Sequence, residues 1–176
     1  MDRYSRAIAS ISKLTDLDQL RNFRNNALSE GATEVADAAF KRLVSLCPSE
    51  APGSIEHDFW STIHAFEELL REERGKTVRL SRTRQKISRV GVIQTLIDFA
   101  KNKTPTDGFL MLIERGLPEL TGEALILKHK DVFEYDVQQA ATQRLEAAAV
   151  NIEELIYSFK SALALESATN SSLGRT

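Results

Sequence analysis

The stretch HDFWSTIHAFEELL, residues 57–70, sets Phe59, Ile63, Phe66 and Leu70 at i, i+4, i+7 and i+11. That spacing returns to one side of a helix and has no period-two character, so it reads as a buried helical stripe. The same periodicity continues in both directions. Sustained alternation is missing, and no Asn-Gly or Asp-Gly pair sits between β-branched runs, which leaves strands without support. Helix starts are marked by Asp16 with Gln19, Asp136 with Gln139 and Asn151 with Glu154, each a short oxygen-bearing side chain three residues before a Glu or Gln. Stops are marked by Gly31, Pro48, Gly75, Gly91 and Gly116.

These signals predict ten helices, at about 3–13, 16–29, 32–46, 55–73, 79–90, 92–102, 107–115, 118–129, 136–149 and 151–166. The expected fold is all-α, a compact array of short to medium helices with an N-terminal helical hairpin lobe. CPSEAPGS, residues 47–54, has the composition of a linker. It divides the expectation into an N-terminal lobe at 1–48, a main helical domain at 49–166 and a flexible tail at 167–176. The second half, from residue 108 onward, carries the densest apolar content and is expected to scaffold the helix at 79–90.

Residues 31–48, GATEVADAAFKRLVSLCP, resemble the second half of a tetratricopeptide repeat, with Gly31, Ala36, Phe40 and Pro48 at that motif's spacing. Leu20, Phe23, Arg24 and Ala27 depart from its first half. The resemblance covers one repeat's length, whereas a solenoid needs about three to bury a continuous core, so an ordinary helical hairpin is the favoured reading.

With 42% hydrophobic and 27% charged residues in 176, the composition is that of an ordinary soluble globular chain. No run approaches the ~20 apolar residues of a membrane span, and membrane partners are not expected. MDRYSRAIASISKL lacks the apolar core and cleavage site of a secretory signal. Cys47 is the only cysteine, so no internal disulfide or cysteine-rich zinc site can form, and it reads as a packed thiol at a helix end. These features point to the cytoplasm.

The charge is distributed unevenly. Arg74, Lys76, Arg79, Arg82, Arg84, Lys86 and Arg89 lie between residues 74 and 91 with no acid among them, in a chain whose net charge is −2. On a helix, Arg79, Arg82, Lys86 and Arg89 fall within an arc of about 80°, beside an apolar face carrying Leu80 and Ile87. Like charges so placed repel by tenths of a kcal/mol per pair, and a polyanion would relieve them. Ser81, Thr83 and Ser88 add hydroxyls that can bond phosphate oxygens. Arg84 lies on the other side of the apolar arc and is expected to pair with a carboxylate in a structural role.

The expected function is therefore non-enzymatic binding of nucleic acid, DNA first, through Arg74, Lys76, Arg79, Arg82, Lys86, Arg89 and Gln94. The break at Gly91 suggests a helix-turn-helix-like arrangement in which Gln94 could read adenine, although Asp98 would repel phosphates. The alternative is a helical adaptor that docks a protein partner, or a second copy of the chain, through the ridge or the N-terminal hairpin. The ridge could also dock on acids of the same chain: Glu67, Glu68, Glu72 and Glu73 precede it, and residues 104–170 hold eleven acids against five bases.

His57 and His64 share a helical face with Glu67 and Glu68, but the phenylalanine stripe beside them favours packing over metal ligation. No phosphate-binding loop, dinucleotide fingerprint, nucleophile elbow or zinc-protease motif occurs. No catalytic residue, metal ligand or cofactor is expected.

Overall fold

The structure, a computed structural model, describes residues 3–173, with side chains described as far as residue 162. Regular structure among these residues is helical throughout. The chain divides into two compact units, residues 1–92 and 93–176.

In the first unit α1 spans Arg3–Ile11, α2 Leu17–Ser29, α3 Thr33–Leu46 and α4 Ile55–Arg74. Helix α3 packs against α1, α2 and α4, which explains why Val35, Ala36, Ala39, Phe40, Leu43 and Val44 are all buried along it. Because α4 returns onto α3, the linker at 47–54 joins two packed helices, and the division expected at 48 falls inside this unit. His57 reinforces the junction, its Nε2 lying 3.0 Å from the Ser45 carbonyl oxygen. On α4 the apolar stripe has Phe59, Ile63 and Leu70 buried and Phe66 half-buried. Helix α4 ends at Gly75, whose φ of 63° is the left-handed cap that favours glycine.

Helix α5 spans Ser81–Lys101 and is interrupted at Gly91, where φ is 83° and ψ 170°. That region is essentially closed to residues with a Cβ, so the break expected at Gly91 is written into the backbone. It occupies one residue. A helix-turn-helix joins its helices through a turn of about three or four residues, and Gly91 does not supply one.

The second unit contains the latter part of α5, then α6 (Asp107–Glu114), a 3₁₀ turn (Pro118–Leu120), α7 (Gly122–Lys128), a second 3₁₀ turn (Lys130–Val132), α8 (Tyr135–Ala147) and α9 (Ile152–Leu173). Phe109, Ala124, Leu145 and Leu155 form a core flanked by Ile113, Leu127, Ile152 and Phe159.

Several expected boundaries move. The helix drawn over 118–129 is divided by Thr121, whose hydroxyl donates to the Pro118 carbonyl (2.7 Å) and accepts from the Ala124 N–H (3.2 Å), closing one turn and capping the next. Asp136 lies inside the first turn of α8 rather than at its cap, and its carboxylate takes Lys101 Nζ at 2.6 Å. Helix α9 runs to Leu173 instead of 166; of the tail expected at 167–176, residues 174–176 lie outside the described residues. The caps at Asp16 and Asn151 stand where expected, accepting from Gln19 N–H and from the Glu153 and Glu154 N–H groups.

Candidate nucleic-acid interface

The acids of α4 decide how much of the neighbouring positive charge is used up within the fold. Glu68 takes Arg21 of α2 at 2.6 and 3.2 Å, and Glu72 takes Arg24 at 2.6 and 3.2 Å. Both are two-pronged guanidinium–carboxylate pairs, the geometry in which arginine binds a carboxylate most strongly. Arg24 is only 4% exposed and its guanidinium stacks 4.3 Å from the Phe40 ring centroid. Glu68 and Glu72, two of the four glutamates that precede the basic run, are thus bound by arginines 47 and 48 residues upstream.

Glu67 is the exception. Its Oε1 accepts from Arg84 Nε (2.8 Å) and from the Leu80 N–H (2.8 Å), and its Oε2 accepts from Arg84 Nη2 (2.6 Å). Burial pushes this carboxyl up, but the bonds from Arg84 and Leu80 outweigh it and hold it below the ordinary value of 4.5. The Arg84 guanidinium also lies 5.0 Å from the Trp60 ring centroid. Arg84 therefore has the structural role expected of it. Glu67 also fixes where α5 begins: it occupies the Leu80 N–H, while the Leu80 carbonyl accepts the first helical bond from Arg84 at 2.9 Å. The helix consequently starts at Ser81 rather than 79, which leaves Arg79 in the non-helical segment before it.

On the opposite side of α5 the picture reverses. Arg82 and Arg89 are exposed, as are Arg74, Lys76 and Arg79 in the approach to the helix, and none of the five has a carboxylate partner among the described residues. Lys86, between Arg82 and Arg89 on the same face, is half-buried and engaged within the chain. The ridge is anchored to α4 through Glu67, and Ile87 on the same helix is buried.

Gln94 belongs to the second unit. It is exposed, and its amide nitrogen donates to Asp98 Oδ1 at 2.8 Å, one turn along its own helix. Nearby, Arg144 of α8 donates to the Phe99 and Asn102 carbonyls and reaches Glu123 Oε1 at 3.2 Å. These bonds close the C-terminal end of α5. Glu123 is 2% exposed, and burial pushes its carboxyl above the usual range despite the bond from Arg144.

The remaining chemical candidates are packed. Cys47 sits at the end of α3 with Sγ 3.4 Å from the Leu43 carbonyl oxygen, and burial pushes its thiol up, away from the thiolate a nucleophile needs. His64 Nδ1 lies 3.7 Å from Glu67 Oε2, and burial, followed by the Arg84 charge, pushes its imidazole down toward the neutral form. No group of three or more His, Cys, Asp or Glu side chains among the described residues could hold a metal ion. No helix among them is long and apolar enough to cross a membrane.

Sequence reasoning located the basic run and the separate status of Arg84. It missed Glu67 as the residue that sets the start of the basic helix, and the only available signal was its place among four glutamates. No protein-family model matches the chain, and no curated protein or solved structure shows significant similarity to it.

Proposed function

We propose that the protein binds nucleic acid, DNA first, by laying the outer side of the basic segment against backbone phosphates. One observation carries this reading: Arg74, Lys76, Arg79, Arg82 and Arg89 are exposed without carboxylate partners among the described residues, while Glu67, Glu68 and Glu72, which precede them in sequence, are bound by Arg84, Arg21 and Arg24. Exposed like charges on neighbouring turns cost tenths of a kcal/mol per pair, which folding has no reason to keep. Phosphate contact would offset that repulsion and release the counterions condensed on the polymer. The role is one of binding rather than catalysis, since the segment offers cations and hydroxyls but no general base or activated nucleophile. A single, half-buried cysteine suits work in the reducing cytoplasm.

The test is a gel-shift titration of mixed-sequence duplex at low salt with the wild-type protein and with Arg79, Arg82 and Arg89 all replaced by Ala. The wild type should retard the duplex and the triple variant should lose at least about tenfold in affinity. Equal retardation by both proteins, or none by the wild type, would refute the assignment. In the latter case the adaptor reading takes its place.

A further inference from the structure

We infer, resting on the reading above, that the partner is double-stranded rather than single-stranded. Two observations lead there. Arg82 and Arg89 stand seven residues apart on one helical face, about 10 Å along the axis at ~1.5 Å per residue. Over that length a duplex presents about six phosphates and a single strand about half as many, so a short rigid ridge meets more charge on a duplex.

Single-strand binding draws heavily on aromatic platforms, where each stacked base adds substantially to affinity. Around this ridge that surface is closed: the Trp60 ring has the Arg84 guanidinium over it, 5.0 Å from its centroid. The exposed aromatic side chain among the described residues of the first unit is Tyr4, on α1. Helix α1 packs against α3, not on the basic segment.

Fluorescence anisotropy with the full chain decides the point, using labelled short duplexes of several unrelated sequences and the separated strands of each, at one low salt concentration. Each separated strand should bind at least about fivefold more weakly than its duplex. Single strands bound as tightly as their duplexes would overturn the double-stranded partner. Failure of every probe to bind would instead remove the nucleic-acid reading on which this inference stands.

Discussion

Arg82 and Arg84 stand two residues apart on the same helix and live in opposite surroundings. A rotation of about 100° per residue puts them roughly 200° apart. The inner arginine is gripped by both oxygens of Glu67 and lies over Trp60; the outer one is exposed and unmatched among the described residues. The inner side of α5 is thus neutralised by the fold, and the outer side is left charged. Charge content alone does not separate a structural cation from one available to a ligand; the direction in which the helix points it does.

The largest expected effect lies on the inner side. Glu67→Gln removes the charge that holds Arg84 and weakens the bond to the Leu80 N–H, which should cost about 3 kcal/mol, the low end for a broken buried pair because the Arg84 side chain keeps 20% of its exposure. Trp60, the only tryptophan, lies against Arg84 and reports this locally in urea unfolding followed by fluorescence. The cost should also depend on pH. A carboxyl held below its ordinary 4.5 stabilises the fold while ionised, so the wild-type advantage should be complete above that value and shrink as pH falls through the depressed titration. Buried Glu123 in the second unit acts with the opposite sign, its contribution being lost as pH rises through its raised value. Subtracting the variant from the wild type cancels it. An advantage that stays constant down to the lowest accessible pH would break the assignment of Glu67 as an ionised clamp.

The smallest expected effect on stability lies on the outer side. Replacing Arg79, Arg82 and Arg89 together by Ala should change the unfolding free energy by no more than about 0.5 kcal/mol, because no described contact is lost. A loss as large as that of the inner variant would show that the outer arginines are structural after all and would dissolve the contrast.

The sequence made one half of this comparison legible and hid the other. Helical phase separated Arg84 from the ridge before any coordinates, since that needs only the period of the helix. Which carboxylate receives it could not be read, because Glu67, Glu68, Glu72 and Glu73 are nearly equivalent in sequence. The choice was made by tertiary packing, when α2 delivered Arg21 to Glu68 and Arg24 to Glu72. The unit boundary was hidden for a related reason. Proline and glycine at 47–54 signal a loop, but α3 and α4 pack across it, and that contact between distant turns leaves no local mark. Gly91 was visible as a break because its backbone conformation is one that other residues rarely adopt. Ala149 takes a positive φ of 59° without being glycine, so the stop after α8 carried no comparable signal.

The most direct test of the central claim, that the outer arginines are displayed to meet phosphate, is the salt dependence of duplex binding by the wild type and by the Arg79, Arg82, Arg89 triple-alanine variant. The account predicts a straight log–log line for the wild type and a slope shallower by roughly 2 to 3 in the variant, close to one counterion per arginine removed. Parallel lines for the two proteins, or a wild-type affinity that does not change with salt, would contradict it.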